Sequence, residues 1–161
     1  MRRKIISRAE VVTLGIELRQ KAKRIVFANG CFDLLHVGHV RYLQDAARQG
    51  DVLVVGVNSD RAVTRLKGQG RPLLPEGARA ELVAALGSVD YAVVFDDVTA
   101  ERILEDLRPD IHCKGTDYST ESVPERAVMD RLGGEVRIVG DAKSHSTREL
   151  IGDIQRRFRQ E

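Results

Sequence analysis

The chain has 161 residues, of which 42% are hydrophobic and 31% charged, with 26 basic against 24 acidic side chains and a formal net charge of +2. This composition suffices for one core, and the charge balance excludes a polybasic nucleic-acid binder and an acidic disordered tail. Two cysteines, 4% aromatic residues and only short apolar runs argue against a disulfide framework, a single-strand stacking platform and a membrane span, so we expect one intracellular domain over residues 1–161 with no nucleic-acid or membrane partner.

Runs of strand-forming residues alternate with helical stretches along almost the whole chain. A helix is predicted at about 7–23, because Ser7 and Glu10 have the spacing of a capping box. Buried strands are predicted at 24–29, 52–58, 91–95, 110–113 and 135–139. Helices are predicted near 38–49, 60–66, 76–86, 99–107, 123–132 and 146–158. This alternation predicts an α/β fold with a doubly wound, Rossmann-like parallel sheet.

The residues that follow each strand are the candidates for function. Neither a GxGxxG fingerprint nor a GxxxxGK[ST] phosphate loop follows the first long strand. A plain NAD-binding or P-loop domain is therefore disfavoured. In an open parallel sheet, ligands bind beyond the carboxyl ends of the strands, so the search for chemistry begins there.

Two histidines, His36 and His39, lie on either side of Gly38 where a loop is predicted to become a helix. Free N–H groups at a helix start attract phosphate, and a glycine allows close approach to the backbone. Imidazole N–H groups aimed at the same point would stabilise charge on a transferring phosphoryl group. Ordinary turn residues or a metal-binding pair are the alternatives, although no third metal ligand is near in sequence.

The segment GCFDLLHVGH at 30–39 resembles the HxGH signature of the nucleotidyltransferase superfamily. The similarity continues in order along the chain through 57–79, 88–99, 107–118, 133–139 and 145–151. The motifs NSD (58–60), LKGxxRP (66–72) and KGxDY (114–118) together resemble the adenylyltransferase part of ADP-heptose synthases. Many of those relatives carry a fused sugar kinase, for which 161 residues leave no room. We therefore expect a stand-alone version with the nucleotidyltransferase fold.

The resemblance implies transfer of an adenylyl group from ATP to D-glycero-β-D-manno-heptose 1-phosphate in a bacterial cytoplasm, for lipopolysaccharide or surface-glycan synthesis. It also implies Mg²⁺ on the nucleotide phosphates, without a certain protein ligand. A homodimer or higher homo-oligomer is expected, with the helix at 7–23 as a contact by analogy. The alternatives are a glycerol 3-phosphate cytidylyltransferase, another sugar-phosphate nucleotidyltransferase, or a non-catalytic nucleotide-binding regulator.

Site residues follow from matching this chain to the family motifs. The catalytic candidates are His36, His39, Lys67 and Arg79. The nucleotide-binding candidates are Asn29, Gly30, Phe32, Asp33, Gly38, His39, Lys114, Gly115, Asp117, His145, Ser146, Thr147 and Arg148. The substrate-binding candidates are Asn58, Asp60, Lys67 and Arg71.

Several of these candidates have a simpler structural interpretation. Ser59 or Asp60 would cap the helix that follows, in place of a ligand contact. Arg79 would be an exposed helical arginine if it does not contact the phosphates. Asp33 is either an indirect Mg²⁺ ligand or, more simply, a turn-forming aspartate.

Two further segments carry alternatives of their own. The glycine-rich stretch from Lys67 to Arg71 is either a surface loop or, as the family match favours, a lid over the substrate. Ser146 is expected to cap the last helix, and a hydroxyl there can also face phosphate. The heptose relatives have a third hydroxyl where this chain has Arg148, which would supply a charge to the phosphates.

The expected base is adenine. Cytidylyltransferases that resemble this chain carry an arginine and a tyrosine just before a Val-Asp pair, where this chain has Gly87 and Ser88 before Val89 and Asp90. Without that arginine a cytosine-type contact would be missing, because glycine offers only its backbone. The preference for adenine itself rests on the heptose-type motifs.

Overall fold

Six strands form one entirely parallel sheet in the computed structural model, which describes residues 3–142 and 144–159. The strands are β1 (Ile5–Ile6), β2 (Ile25–Gly30), β3 (Val52–Asn58), β4 (Tyr91–Phe95), β5 (Ile111–Lys114) and β6 (Glu135–Ile138). Their order across the sheet is β1-β4-β3-β2-β5-β6. The chain moves outward from β2 through β3 to β4 and then returns to place β5 on the other side of β2. This reversal confirms the predicted doubly wound α/β fold.

Helices cover both faces of the sheet because the strands are apolar on both sides. They are α1 (Glu10–Gln20), α2 (Val37–Ala47), α3 (Asp60–Lys67), α4 (Glu76–Ala85), α5 (Glu101–Leu107), α6 (Arg126–Leu132) and α7 (Thr147–Phe158). One buried cluster joins the sheet to α2 and α4, and the other joins it to α1, α5 and α6. Among the residues described, no helix is both long enough and apolar enough to cross a membrane.

The amino-terminal region departs most from the predicted elements. The helix predicted at 7–23 begins at Glu10 and ends at Gln20. Ser7 does pair with Glu10, since its backbone N–H and its hydroxyl donate to the Glu10 carboxylate at 2.6 and 2.7 Å. That pair closes a turn ahead of the helix, whose N-cap is Ala9. The contact of this helix with a second copy stays a prediction.

The short strand β1, Ile5–Ile6, was not predicted. Two residues are too few to produce an alternating pattern, so only pairing with β4 reveals the strand. The other strands and helices agree with the sequence predictions to within a few residues.

The topology fixes where a ligand site can form. The strand order reverses between β2 and β5, whose carboxyl ends, Gly30 and Lys114, lie at the same edge of the sheet. Loops leaving two neighbouring strands in opposite directions open a crevice at that point. The HxGH segment begins directly after β2 and therefore lies at this crevice.

Candidate active site

A pocket of about 840 Å³ lies at the carboxyl edge of the sheet, lined by the segments that follow β2, β3, β5 and β6 and by the start of α7. Most of the predicted site residues line it. They are Asn29, Gly30, Phe32, Asp33, His36, Gly38, His39, Asn58, Lys67, Arg71, Lys114, Gly115, Asp117, His145, Ser146, Thr147 and Arg148. Two predicted residues, Asp60 and Arg79, are not in its lining.

His36 and His39 form a stacked pair at the start of α2, with ring centroids 3.8 Å apart. The backbone N–H of Gly38 donates to Nδ1 of His36 at 3.1 Å, and the backbone N–H of His36 donates to Nδ1 of His39 at 3.3 Å. A ring nitrogen that accepts a hydrogen bond carries no proton, so each neutral ring is protonated at Nε2. The pair therefore caps the helix through Nδ1, and each neutral ring carries its proton on Nε2.

Gly38 is required by the shape of this turn. A Cβ at this position would lie 2.9 Å from Cε1 and 3.0 Å from Nδ1 of His36, closer than side chains pack. The glycine thus lets the His36 ring fold back over the first turn of α2. This is a local reason for the glycine, in addition to the close phosphate approach that the sequence suggests.

His39 is a neutral donor in this arrangement. Burial, and to a smaller extent the neighbouring His36, lower the pKa of His39 to about 4. Its ring therefore contributes an N–H group at neutral pH and no full positive charge. No cluster of three or more His, Cys, Asp or Glu side chains that could hold a metal ion occurs within residues 3–142 and 144–159.

Arg79 is fully buried, and its contacts contradict both predicted roles, the phosphate contact and the exposed helical arginine. Its Nε donates to the carbonyl of Leu74 at 2.9 Å, and Nη1 donates to the carbonyls of Cys31 and Asn58 at 2.6 and 2.7 Å. Its Nη2 donates to Oδ1 of Asp60 at 2.7 Å. These four bonds use most of the guanidinium donors. Arg79 therefore positions the segments around the pocket and does not line it.

The last two residues of the NSD motif, Ser59 and Asp60, also make contacts within the protein. Ser59 is the N-cap of α3, and its Oγ accepts from the backbone N–H of Ala62 at 3.1 Å, which confirms the capping alternative. Asp60 is not the cap, and its carboxylate pairs with Arg79. Asp60 lies outside the pocket lining, and its substrate contact stays a prediction. Asn58 does line the pocket, and its Nδ2 donates to the carbonyl of Asp97 at 3.2 Å.

Asp33 anchors the loop that was predicted to be a lid. Its buried carboxylate accepts from Nε of Arg71 at 2.8 Å and from the backbone N–H groups of Leu73 and Leu74 at 2.9 and 3.0 Å. Burial by itself would raise the pKa of Asp33, but these donors outweigh it and lower the pKa. Asp33 is therefore a long-range anchor of this loop, and its part as an indirect Mg²⁺ ligand stays a prediction.

The remainder of this loop is less constrained. Lys67 ends α3, and Gly68 and Gly70 follow with φ of +93° and +85°, in the left-handed region that glycine tolerates. Apart from its chain neighbours, no atom of the residues that the structure describes lies within 4 Å of the position of a Cβ at either glycine. The glycine-containing segment 68–70 therefore lies between Lys67, at the end of α3, and Arg71, which is held by Asp33.

Lys114 at the end of β5 has a partner that the sequence did not reveal. Its Nζ lies 3.7 Å from Oε2 of Glu125 and 4.9 Å from the centroid of the Tyr118 ring. Burial lowers the pKa of Lys114, although Glu125 acts in the opposite direction. Glu125 also accepts from the backbone N–H of Ala100 at 3.0 Å. An isolated glutamate before a short helix gives no local signal of this role.

The start of α7 is fastened to the loop after β2. Ser146 is the N-cap, and its Oγ accepts from the backbone N–H of Glu149 at 3.1 Å, as predicted. The hydroxyl of Thr147 donates to the backbone carbonyl of Asp33 at 2.7 Å. Arg148 follows as an exposed residue of the pocket lining. Both hydroxyls therefore have partners within the protein.

The residues used to argue against cytosine do not face the pocket. Gly87 and Ser88 precede β4, so they lie at the amino edge of the parallel sheet, whereas the pocket is at the carboxyl edge. That part of the argument on the base is wrong, because sequence proximity to a strand did not show which end of the strand was involved.

The chain is similar in sequence to a known protein family and to curated proteins. Residues 27–154 match the family model described as cytidylyltransferase-like. The chain is 49% identical over 143 residues to the bifunctional protein HldE of Geobacter metallireducens, a match that covers 89% of this chain and 29% of that protein. It is 48% identical over 149 residues to HldE of Pseudomonas aeruginosa, with coverage of 92% and 32%. The chain thus spans about three tenths of the length of these curated relatives.

A solved structure shares the fold. The lipopolysaccharide core biosynthesis protein of Thermoplasma volcanium aligns with a TM-score of 0.64 and 32% sequence identity. The alignment covers 76% of this chain and 99% of the other. The structural similarity therefore extends over nearly all of that protein.

The buried position of Arg79 leads to a test of stability. We expect Arg79→Met to lower the free energy of unfolding by about 3–5 kcal/mol, because buried carbonyls and a carboxylate lose their donor. Arg61→Met is the matched control, since Arg61 is an exposed arginine paired with Asp96, and its effect should stay within about 0.5 kcal/mol. Denaturant unfolding measures both. Unchanged stability with a loss of phosphate binding in Arg79→Met would restore the direct phosphate contact.

The lowered pKa of His39 leads to a test of pH dependence. The unfolded chain takes up a proton on this ring near pH 6.5, whereas the folded chain resists until about pH 4. Between these two values the unfolded state therefore binds more protons than the folded state. The contribution of the neutral His39 ring to the free energy of unfolding is complete above pH 6.5 and is lost as the pH falls towards 4. In denaturant unfolding between these values, His39→Gln should show a flatter slope than the wild type. His145→Gln, at an exposed histidine, is the control; equal slopes in all three proteins would contradict the neutral buried ring.

Proposed function

We propose, on the premise that the chain belongs to the cytidylyltransferase-like family and is a nucleotidyltransferase, that it transfers an adenylyl group from ATP to a sugar 1-phosphate and releases pyrophosphate. The acceptor we propose is D-glycero-β-D-manno-heptose 1-phosphate. The observation that carries the proposal is the stacked His36–His39 pair, with two Nε2–H donors at the start of α2 in the pocket.

The reaction suits a site made of donors. A phosphate oxygen of the sugar 1-phosphate attacks the α-phosphorus of ATP in line, and the bond from that phosphorus to the bridging oxygen of the β-phosphate breaks. The nucleophile is already an anion near neutral pH, so no general base is needed. What remains is to position the reactants and to stabilise charge on the α-phosphate, for which preorganised N–H donors are effective.

The cations that line the pocket differ in whether a carboxylate already pairs with them. Arg71 and Lys114 line the pocket, but each already has a carboxylate partner, Asp33 and Glu125 respectively. Lys67 and Arg148 line it as exposed cations, and in the described ranges neither has an ion-pair partner. We infer that these two side chains meet the outer phosphates, Lys67 from the last turn of α3 and Arg148 from the first turn of α7.

Mg²⁺ is part of the proposal as a companion of the nucleotide. The carboxylate of Asp33, the one protein ligand that the sequence suggested, already accepts from N–H donors, which fits a Mg²⁺ ion held mainly by the nucleotide. Mg²⁺ prefers water and substrate phosphates to an all-protein cage. When bound through the triphosphate it would neutralise part of that charge.

The choice of substrates rests on similarity. The NSD, LKGxxRP and KGxDY motifs resemble those of heptose adenylyltransferases, and the relatives carry the name HldE. The similar solved structure is named for lipopolysaccharide core synthesis, which supports a product destined for a surface glycan. The family description makes a cytidylyltransferase the main alternative. The intact histidine pair argues against a regulator without activity.

A substrate panel tests the proposal. Pyrophosphate release should be measured for ATP, CTP and GTP, each with heptose 1-phosphate, with another sugar 1-phosphate and with glycerol 3-phosphate. We expect ATP with the heptose 1-phosphate to give the highest kcat/KM, at least about tenfold above CTP, which corresponds to about 1.4 kcal/mol. A CTP value equal to that of ATP would reject the adenylyl assignment. Nucleotide binding without pyrophosphate release from any pair would favour the regulator.

The histidine pair gives a second prediction. His36→Ala and His39→Ala should each lower kcat by about 10²–10³, because the lost donor acts mainly on charge that develops in the transition state. Binding of ATP, measured by calorimetry, should change far less. Arg61→Ala, at an exposed arginine outside the pocket lining, is the control and should retain most of kcat. Near-normal turnover in either variant of the pair would remove that residue from the mechanism.

A further inference from the structure

His112 is a buried histidine that neither the motifs nor the proposed mechanism uses. It lies in β5 with no exposed surface, and its Nε2 is 3.0 Å from Oδ1 of Asn29. Asn29 lies near the end of β2 and lines the pocket. The strand register pairs His112 with Phe27, so Asn29, two residues further along β2, lies on the same face of the sheet. The ring is thus placed beside a pocket residue from within the core.

The position of the ring proton follows from its surroundings. Burial, with a smaller contribution from Lys114, lowers the pKa of His112 to about 3, so the ring is neutral and carries one proton. An amide oxygen only accepts hydrogen bonds, so with Oδ1 facing the ring that proton is on Nε2. Nδ1 is buried and has no hydrogen-bond partner in the described chain.

The opposite orientation of the Asn29 amide would be less stable. Its Nδ2 would then donate to Nε2 of His112, and the ring proton would have to move to Nδ1. That would leave an N–H group buried without an acceptor, and orphaned buried donors are rarer than under-satisfied acceptors. The ring therefore selects one of the two amide orientations. In the selected orientation the ring does not use the Nδ2 hydrogens of Asn29, a residue that lines the pocket.

We propose that His112 is a positioning residue, which holds the Asn29 amide so that its NH₂ group donates to a phosphate oxygen of the bound substrate. The inference rests on the proposed phosphoryl chemistry of the pocket. An unrestrained amide could present its oxygen to the phosphate, where two electron-rich atoms would repel each other. The phosphate belongs either to the nucleotide or to the sugar phosphate, and separate binding measurements distinguish these two sources.

The proposed role of His112 and a purely structural role predict different effects of a substitution on the melting temperature and on substrate binding. A leucine at this position would fill a similar volume without a buried unpartnered nitrogen. We therefore expect His112→Leu to leave the melting temperature unchanged or to raise it, while it weakens substrate binding. If His112 served the core alone, the same variant would lower the melting temperature and leave KM unchanged in the protein that remains folded.

A double-mutant cycle tests whether His112 acts through Asn29. His112→Leu should raise KM, or the dissociation constant, for one of the two phosphate substrates by about tenfold, as expected for one hydrogen bond to a charged group. It should change kcat much less. His112→Gln should recover most of the loss, because its amide N–H can replace Nε2–H as a donor to Oδ1. In an Asn29→Ala background, His112→Leu should have no further effect. Additive effects, or equal behaviour of the Leu and Gln variants, would overturn the proposal.

The ring proton can be observed without any reaction. Nitrogen-15 NMR of the folded wild-type protein should show His112 protonated at Nε2 and unprotonated at Nδ1, and the opposite tautomer would overturn the proposal. Calorimetric titration of the wild type and of His112→Leu, with ATP alone and with the sugar phosphate alone, shows which substrate loses affinity in the variant. That substrate carries the phosphate that Asn29 contacts. These measurements distinguish the proposed function from the proposed role of His112. If the tautomer and the double-mutant cycle agree with the prediction but heptose 1-phosphate is not a substrate, the proposed acceptor is wrong and the role of His112 is supported. If heptose 1-phosphate is turned over but the double-mutant cycle shows no coupling between His112 and Asn29, the proposed function is supported and the role of His112 is wrong.

Discussion

The pocket depends on one buried cation, the guanidinium of Arg79. The segments that end β2 and β3 and that precede α4 converge at the carboxyl edge of the sheet, and each brings a backbone carbonyl away from water. Buried carbonyls need donors, and a planar guanidinium supplies several at fixed angles. Asp60 offsets the buried charge. One side chain of α4 therefore satisfies several segments of the pocket wall at once, which is why it is not available to the ligand.

Asp33 is the anionic counterpart of this arrangement. It receives two backbone N–H groups and one arginine, and the carbonyl of the same residue accepts from Thr147 at the start of α7. Leu74 is held from both sides, because its N–H donates to Asp33 and its carbonyl accepts from Arg79. These contacts connect α7, the loop before α4 and the HxGH loop. Among the described residues of this loop, Arg71, Leu73 and Leu74 are the ones that these contacts hold, and Gly68 and Gly70 lie outside them.

The electrostatics of the pocket rest on directed donors more than on bare charge. His39 is neutral because it is buried, and the backbone bonds at Nδ1 orient both rings of the pair. Lys114 is balanced by Glu125. Donors fixed before the substrate arrives need no reorganisation when charge develops, and this suits transfer of a group between two phosphates. Asn29, held by His112, extends the same principle into the core of the sheet.

The local pattern of residues was enough to predict the alternation of strands and helices, the parallel sheet and the edge at which the pocket forms. The HxGH segment and the cap at Ser146 were also predictable, because their contacts lie within a few residues of each other in sequence. The tertiary structure alone decided the contacts of Arg79, Glu125 and His112, whose partners come from other elements of the fold. It also placed residues 87 and 88 at the amino edge of the sheet, away from the pocket. Periodicity records whether a side chain is apolar or polar, but whether a buried charge meets a ligand or a backbone carbonyl depends on which distant segments pack around it.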